Sequence, residues 1–349
     1  MLDLIMRPQL VGQSFGGRPM MTFEERDVRG KKRVIGIPNR YLRRLHQWFG
    51  TQIREAIERT NSEGFGVRKL PSATGSVPGW NPLENARQHQ SNGYFYITDL
   101  RDAYPSVSLE RLARFLVFLA RYEEYVDFYS LRWFGRDDRT IALEEDDVYQ
   151  PMLQFLQVHF GGEFGQGLAI GGPLSPYLMN LYCEVYLDAS LRRFCERRER
   201  GYQITFTRYV DDLVFSARTF IGPDTRRTIR RIIGESGFEP NRRKTFIRIR
   251  SMGPIWVTKI GLEESESERS RFVYLQKKRR RLHGLIHQYL TEGMDEPEKV
   301  SGYIAEFLHY WKQVPTKTAS DQKTFALCQM FQSEWSRYGG PRYRPRRRR

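Results

Sequence analysis

The order of apolar and polar residues predicts helices and strands that are interleaved unevenly along the chain. Apolar residues recur every three or four positions, as on the buried face of a helix, in four segments: 41–60, 108–126, 147–160 and 224–235. Shorter runs rich in β-branched and aromatic residues predict strands at 31–37, 94–99 and 244–250. Because the two kinds of element do not simply alternate, the pattern favours an α+β fold over a doubly wound sheet.

Two further segments bear on function. A long helix is predicted to start after Gly171-Gly172-Pro173, with Ser175 as its N-cap and Pro176 at its first position. Residues 202–217 contain two β-rich runs that meet at Asp211-Asp212, which predicts a hairpin with the acids at its tip. The remainder, about 269–338, is predicted to be helical.

Composition limits the classes of protein that fit this pattern. The chain has 349 residues, with 57 Lys and Arg against 41 Asp and Glu, and a net charge of +16. That surplus favours a nucleic-acid partner, because basic side chains replace the counterions of phosphates. Apolar runs end well before the roughly 20 residues that a membrane span needs, and the acidic Asp3 is unlike a signal peptide. We therefore expect no membrane partner and a cytoplasmic location.

Basic residues also cluster locally. The terminal run 341–349 holds six arginines. A second cluster, which we expect to contact nucleic acid along a helix, consists of Lys277, Lys278, Arg279, Arg280 and Arg281. For a charge run alone, a solvated helix face is an equally acceptable interpretation.

Three Asp-Asp pairs occur in the chain, and their surroundings separate them. Asp137-Asp138 and Asp146-Asp147 lie among polar residues and are interpreted as surface charge. Asp211-Asp212 is flanked on both sides by apolar β-formers, which would hold the carboxylates against the core. Clustered buried charges of one sign are costly unless a cation lies between them, so this pair indicates a metal site.

Asp99 ends the predicted strand 94–99 and provides a third carboxylate. If that strand pairs beside the hairpin, Asp99, Asp211 and Asp212 meet at one sheet edge as ligands suited to Mg²⁺. Two such ions would support an in-line phosphoryl displacement, which on a basic protein suggests nucleotidyl transfer. An ordinary surface turn beside one acid at a strand end remains open at this point.

Four motifs together resemble the reverse transcriptase family. Tyr209-Val210-Asp211-Asp212 resembles its YxDD box, and Asp99-Leu-Arg-Asp-Ala-Tyr-Pro-Ser-Val107 resembles its first palm motif. Gly167-Leu-Ala-Ile-Gly-Gly-Pro-Leu-Ser-Pro-Tyr-Leu-Met-Asn-Leu181 is similar to the template-grip motif, and 237–245 is similar to the fourth palm motif. The motifs occur in family order, and the resemblance extends from about 23 to 290.

The resemblance implies a right-hand polymerase fold of fingers, palm and thumb. It places an N-terminal arm at 1–22 and an arginine-rich tail at 339–349. Fingers are expected at 23–92 and 121–165, a catalytic palm at 93–120 and 166–250, and a thumb that binds primer and template at 251–338.

The resemblance also implies roles for individual residues. Asp99, Asp211 and Asp212 would hold two Mg²⁺ ions, and Lys244 would lie near the leaving pyrophosphate, where it protonates that group or contacts a backbone. Tyr104 would lie under the sugar and exclude a 2′-hydroxyl. The residues expected around the nucleotide are Lys32, Arg33, Asp102, Ala103, Tyr104, Gly171 and Gly172.

The branch of the family is indicated by weaker signals that conflict. Asn85-Ala-Arg-Gln-His89 resembles the NAxxH element of retron reverse transcriptases, which implies nucleic-acid contacts for Asn85 and His89. Val257-Thr258-Lys259 is similar to their VTG segment except that Lys259 replaces the glycine. Ile170 stands where Gln is usual and is more typical of abortive-infection and other defence-associated enzymes. We favour a retron-like defence enzyme.

These observations predict an RNA-directed DNA polymerase that uses dNTPs to copy a cognate non-coding RNA into DNA, in antiviral defence. A toxin or effector protein is left open as a further partner. Two alternatives remain. One is an enzyme that extends DNA without a template or from a protein hydroxyl, and the other is a non-catalytic RNA-binding scaffold.

Overall fold

A computed structural model describes ten stretches of the chain: 14–15, 18–28, 30–62, 73–76, 80–121, 146–197, 203–264, 271–292, 298–314 and 317–337. The chain divides into two compact units. The first contains Met1–Asn81 and Tyr94–Arg248, and the second contains Pro82–Gly93 and Ile249–Arg349. Most of the predicted N-terminal arm, the pair Asp137-Asp138 and the arginine-rich tail lie outside the described residues.

The strands are β1 (Ser14–Phe15), β2 (Arg18–Pro19), β3 (Met21–Asp27), β4 (Lys32–Pro38), β5 (Tyr94–Asp99), β6 (Thr205–Tyr209), β7 (Asp212–Ala217), β8 (Phe246–Ile249), β9 (Ile255–Val257), β10 (Ile260–Glu263) and β11 (Arg271–Tyr274). The helices are α1 (Arg40–Ser62), α2 (Pro82–Arg87), α3 (Leu109–Ala120), α4 (Tyr149–His159), α5 (Ser175–Cys183), α6 (Ala189–Glu196), α7 (Pro223–Glu235), α8 (Gln276–Thr291), α9 (Glu298–Gln313) and α10 (Ala319–Arg337).

The first unit is organised around a four-stranded sheet with the strand order β6-β7-β5-β8. Strand β7 is central and pairs antiparallel with both β6 and β5. Five of its six residues, from Leu213 to Ala217, are buried, as expected for a strand with neighbours on both sides and packing on both faces. The predicted hairpin of β6 and β7 and the predicted strand β5 are therefore confirmed.

Helices α1, α3, α4 and α5 build the core that supports this sheet. Helix α3 begins after Ser108, whose side chain accepts a hydrogen bond from the backbone N–H of Arg111 and so satisfies one free donor of the first turn. Its next residues are almost all apolar, and eight of its twelve residues are buried. A helix that is apolar nearly all round has to lie inside the protein.

A separate hairpin, β3 and β4, lies beside the loop that precedes α5. The strand predicted at 31–37 is confirmed as β4, which pairs antiparallel with β3, and Gly30, between the two strands, has a positive φ of 76°. The backbone N–H of Gly36 donates to the carbonyl oxygen of Ile170 at 2.7 Å. A Cβ atom at Gly36 would lie 2.6 Å from the Met21 sulfur and 3.2 Å from the Ala169 Cβ, so a larger residue would require these side chains to move.

The long helix predicted from Ser175 exists but differs in two respects. Ser175 is its first helical residue, and Leu174 occupies the N-cap position without a side-chain hydrogen bond, so the predicted capping role is wrong. The side chain of Ser175 is fully buried, and its hydroxyl makes no hydrogen bond within the described residues. The helix also contains a π-helical turn at Glu184–Asp188 between α5 and α6, which the apolar spacing did not reveal.

The second unit has a three-stranded sheet with the order β11-β10-β9, together with α2 and the three helices α8 to α10. The prediction that 269–338 is all helical is wrong at β11. There, Arg271, Phe272, Val273 and Tyr274 alternate between exposed and more buried positions and pair with β10. The strand predicted at 244–250 is also shorter, because a 3₁₀ turn at Arg242–Lys244 precedes β8.

Within the described residues, every helix is too short or too polar to cross a lipid bilayer.

The β9–β10 hairpin has a strained two-residue loop. Val257 pairs with Ile260, and the loop residues Thr258 and Lys259 have φ values of 45° and 74°. Two positive φ angles define a type I′ turn, which favours Asn and Gly. The position where the retron VTG segment carries glycine is therefore a left-handed position, and in this chain a lysine occupies it.

We predict that Lys259→Gly stabilises the second unit. Glycine relieves the strain of the left-handed conformation, but it also increases the entropy of the unfolded chain, which offsets part of that gain. The free energy of unfolding should therefore rise by about 0.5–1 kcal/mol. Urea denaturation measures this change. Lys259→Ala is the matched control, because it removes the lysine side chain but keeps Cβ. An equal gain in both variants would contradict the backbone explanation.

Candidate active site

Strand pairing brings the three predicted carboxylates together. Asp99, the last residue of β5, is the register partner of Asp212, the first residue of β7. Tyr209 pairs with Asp212, which leaves Val210 and Asp211 as a two-residue loop at the hairpin tip. One carboxylate oxygen from each of Asp99, Asp211 and Asp212 lies within 4.8 Å of the others. The predicted meeting of these acids at one sheet edge is therefore observed.

The cluster stores electrostatic repulsion. Asp99 is only 5% exposed. Burial and the nearby charge of Asp99 raise the pKa of Asp211. Burial, followed by the charges of Asp211 and Asp99, raises the pKa of Asp212 to about 7. Asp211 and Asp212 are thus costly to ionise beside the other acids of the cluster. Three hard oxygen donors in such an arrangement fit a divalent cation, which would remove the repulsion.

Two side chains partly compensate the charge of Asp99. Lys244 donates from Nζ to Asp99 Oδ1 at 2.7 Å, and Asn241 donates from Nδ2 to Asp99 Oδ2 at 3.3 Å. Burial lowers the pKa of Lys244, but the hydrogen bond to Asp99 and the negative charges of Asp99, Asp211 and Asp212 together outweigh it, so the pKa is raised. The ammonium group therefore stays charged and lies against the acidic cluster.

Asn241 was not among the predicted site residues. Its backbone N–H also donates to the Asp99 carbonyl oxygen at 2.7 Å, and its side chain caps the 3₁₀ turn that carries Lys244. The position of Asn241 three residues before Lys244 was the available signal, because an Asn at the start of a short turn is a frequent cap.

The hairpin tip itself is strained. Val210 is the first loop residue and has a φ of 58°, a conformation that type II′ hairpin turns normally assign to glycine. For a β-branched residue it is an outlier that costs of order 1–3 kcal/mol and persists only where the surroundings impose it. The backbone N–H of Leu100 donates to the Asp211 carbonyl oxygen at 2.8 Å and holds one side of the loop.

A cavity of about 450 Å³ opens beside the acidic cluster. Its volume lies within the range of small-molecule sites. Lys32 and Arg33 from β4 line it, as do Asp211 and Lys244. The side chain of Lys32 pairs with Glu25 at 2.8 Å and is highly exposed, whereas the charge of Arg33 offsets a small part of the rise in the pKa of Asp211. Basic side chains therefore face acidic ones across the cavity.

The residues after Asp99 form the floor of the same cavity. Asp102, Ala103 and Tyr104 all line it. Asp102 is exposed and has a φ of 43°, and Ala103 is buried. Burial, followed by the charge of Asp211, raises the pKa of Tyr104 to about 12. The Tyr104 phenol is therefore neutral at physiological pH and presents a flat ring beside the acidic cluster.

The protein's own backbone requires glycine at Gly171, and a side chain at Gly172 would displace the Ser175 hydroxyl. Gly171 has a φ of 100°, and a Cβ atom there would lie 2.7 Å from the Gly36 carbonyl oxygen. At Gly172 an added Cβ would lie 2.5 Å from the Ser175 hydroxyl oxygen. Neither is among the residues that line the cavity. A nucleotide contact for the two glycines stays a prediction.

In the second unit, Asn85 and His89 are both fully buried. Asn85 donates from Nδ2 to the Thr258 hydroxyl oxygen at 3.2 Å, and Thr258 donates to the Pro82 carbonyl oxygen at 3.3 Å. Burial lowers the pKa of His89 to about 3, so the imidazole is neutral. The structure places Asn85 in the packing of α2 against the β9–β10 hairpin and His89 in the buried turn that follows α2, and their nucleic-acid contacts stay a prediction.

The predicted basic cluster is divided between two environments at the start of α8. Arg279 pairs with the buried Asp321 at 2.5 Å, and Lys278 pairs with Glu306, so both connect helices of the second unit. Lys277, Arg280 and Arg281 are exposed and remain accessible to a phosphate backbone.

The pair Asp146-Asp147 is engaged by a single arginine. Arg121 contacts Asp146 at 3.2 Å, and it also contacts Asp147. The side chain of Asp146 is only 4% exposed, so the interpretation as surface charge is correct for Asp147 alone.

Comparison with known proteins places this geometry in a family. The family model described as reverse transcriptase (RNA-dependent DNA polymerase) matches residues 23–275, which is well over half of the chain. The chain is a member of the reverse transcriptase family. Together with the observed mixture of helices and antiparallel sheet, this membership confirms the predicted fold class, α+β with a polymerase fold.

Curated relatives agree with the retron-like assignment. The chain is 29% identical over 223 residues to the retron Mx65 reverse transcriptase of Myxococcus xanthus, a match that covers 61% of this chain and 48% of that protein. It is 31% identical over 216 residues to the retron Mx162 reverse transcriptase of the same organism, covering 60% of this chain and 37% of the relative. The match therefore spans less than half the length of either relative.

Among solved structures, this reverse transcriptase is similar to telomerase from Candida albicans in complex with a TWJ fragment of telomeric RNA. The similarity has a TM-score of 0.49 and 11% sequence identity, and it covers 91% of this chain and 56% of that chain.

We predict that a divalent cation stabilises this reverse transcriptase through the acidic cluster. Addition of Mg²⁺ to EDTA-treated protein should raise the melting temperature by about 2–4 °C. Asp212→Asn removes one of three like charges, so it should melt higher than the parent in EDTA and gain less from Mg²⁺. Differential scanning calorimetry measures both effects.

Asp224→Asn is the matched control for this experiment, because Asp224 is exposed on α7 and should leave the Mg²⁺ response unchanged. An undiminished Mg²⁺ response in Asp212→Asn would place the stabilising ion elsewhere.

Proposed function

We propose that this chain is an RNA-directed DNA polymerase that joins dNTPs to a primer hydroxyl and copies a cognate structured RNA. One observation carries the proposal. Asp99, Asp211 and Asp212 converge within 4.8 Å, and the cavity beside them is lined by Arg33 and Tyr104. A reaction that transfers a nucleotide from a triphosphate needs these components next to one another.

The donor set suits two Mg²⁺ ions held by Asp99, Asp211 and Asp212. When bound, such ions activate the attacking hydroxyl and neutralise charge on the leaving group. The raised pKa of Asp212 supports the assignment, since a half-buried carboxylate beside two others is most easily kept ionised by a cation.

The other residues of the cavity bind and orient the nucleotide. Arg33 and Lys32 present charged donors to the triphosphate, and an arginine fork suits phosphate oxygens well. Lys244 stays protonated beside Asp99 and neutralises or protonates the pyrophosphate as it leaves. The ring of Tyr104 lies under the sugar and fills the space that a 2′-hydroxyl would need.

The surplus of positive charge supports an RNA partner, because a net charge of +16 favours any nucleic acid. We extend the retron-like assignment to a cognate non-coding RNA as template and to a DNA product. The subdomain limits derived from the family, a cytoplasmic location, a role in antiviral defence and an effector partner stay predictions.

Incorporation of radiolabelled dNTPs tests the proposed function. Purified protein should make DNA only when its co-expressed RNA is present. Synthesis without RNA would instead support template-independent or protein-primed extension, for which Ile170 in the template-grip motif provides the sequence argument. Absence of synthesis with and without RNA would support a scaffold.

We predict that Asp211→Asn lowers incorporation at least about 1,000-fold, because it removes a carboxylate that holds the reacting centre. Circular dichroism and RNA binding should be unchanged, since Asp211 lies in a loop. Asp224→Asn, the same chemical change on the outer face of α7, should keep full incorporation. Activity of Asp211→Asn close to that of the parent would refute the metal assignment.

We predict that Tyr104→Val relaxes the choice of sugar. A smaller side chain opens the space for a 2′-hydroxyl, so the ratio of kcat/KM for dNTP to that for rNTP should fall by about 10-fold or more. Tyr104→Phe retains the ring and should keep the discrimination of the parent. Steady-state kinetics with paired dNTP and rNTP measure the ratio, and an unchanged ratio in Tyr104→Val would exclude this role.

A further inference from the structure

A fully buried ion pair lies directly behind the strained hairpin tip. Arg208 and Asp188 are both 0% exposed. Arg208 donates from Nε and Nη2 to the Asp188 carboxylate at 2.8–3.0 Å. A charged arginine in a buried strand requires hydrogen-bond acceptors for all of its donors. The acceptors of the third nitrogen, Nη1, indicate a second role for the ion pair.

The third nitrogen of Arg208 contacts the tip itself. Nη1 donates to the carbonyl oxygen of Val210 at 3.0 Å and to Asn180 Oδ1 at 2.9 Å. Val210 is the residue with a positive φ of 58°. Its carbonyl group starts the peptide that leads into Asp211, so a bond to that oxygen sets the orientation of the peptide.

The π-helical turn brings both acceptors to the same arginine. Asn180 lies on α5, and Asp188 ends the π-helical turn that follows it. Eight residues of a regular α-helix would leave the two side chains about 80° apart around the axis. The wider π turn reduces that angle, and both side chains bond to Arg208.

The segment 73–75 closes the arrangement from the other side. The backbone N–H and the hydroxyl of Thr74 donate to the Arg208 carbonyl oxygen at 2.7 and 3.1 Å. Asn180 donates to the Gly75 carbonyl oxygen at 2.9 Å. A Cβ atom at Gly75 would lie 2.7 Å from the backbone nitrogen of Val210. The hairpin tip therefore packs against the backbone at Gly75, and a larger residue at that position would displace it.

We propose that Arg208, Asp188 and Asn180 are positioning residues that hold Val210 in its left-handed conformation and so keep Asp211 and Asp212 in the arrangement that binds the cations. This inference rests on the proposed function for its kinetic consequence. Cation binding, however, can be measured whether or not the chain synthesises DNA.

Asn180→Leu is the informative variant, because it nearly keeps the volume and leaves the ion pair intact. It should weaken Mn²⁺ binding about 10-fold in a titration followed by electron paramagnetic resonance. It should also lower kcat about 10-fold or more, with the KM for dNTP within about 2-fold of the parent.

The Val210→Gly background separates positioning from general stability. Glycine adopts a positive φ without strain, so the loss caused by Asn180→Leu should shrink to less than about 3-fold in that background. Tyr182→Phe is the matched control. Tyr182 lies two residues further along α5, is buried and donates to the Ser236 carbonyl oxygen at 2.8 Å, and its variant should keep Mn²⁺ binding and kcat.

The outcomes are distinct. The proposal is overturned if Asn180→Leu loses as much Mn²⁺ affinity and kcat in the Val210→Gly background as it loses in the parent. It is also overturned if Tyr182→Phe shows the same loss as Asn180→Leu, or if Asn180→Leu leaves the Mn²⁺ affinity unchanged. If the parent binds Mn²⁺ but makes no DNA, the proposed function fails. The positioning proposal is then decided by the Mn²⁺ affinities of the parent and its four variants alone.

Discussion

Repulsion among three carboxylates is the constraint on which the rest of the first unit depends. Pairing of β5 with β7 sets Asp99 opposite Asp212, and the hairpin tip adds Asp211 within 4.8 Å. Such a cluster opposes folding unless neighbouring charges and a cation compensate it. The surrounding residues can be understood as the means by which the protein keeps the three acids together.

The compensation comes from different directions. Lys244 and Asn241 bind the carboxylate of Asp99, and Arg33 faces Asp211 across the cavity. Behind the hairpin, Arg208 holds the backbone of Val210. Because these partners come from three separate segments of the chain, the site forms only once the whole sheet and the long helix are in place. Catalytic geometry and the stability of the first unit are thus linked.

Backbone strain occurs at two hairpins, one in each unit. Val210 beside the acidic cluster and Thr258-Lys259 in the second unit adopt positive φ angles without glycine. Strain of this kind is maintained by surrounding contacts and is typical of functional sites. At Val210 the contacts are a buried ion pair and a close backbone approach. At Thr258 the contacts are two hydrogen bonds to α2, one from the buried side chain of Asn85 and one to the Pro82 carbonyl oxygen.

The sequence by itself determined the α+β class, the β6–β7 hairpin and the three acids, because apolar periodicity and an acidic pair between β-runs are local signals. It did not reveal the π turn, strand β11 or the roles of Asn241 and Asn180. Those features depend on which distant segments meet, since the role of a buried polar residue is set by the group to which it is hydrogen-bonded. Asp188 and Arg208 are 20 residues apart, and only the tertiary structure turned two scattered charges into support for one strained turn.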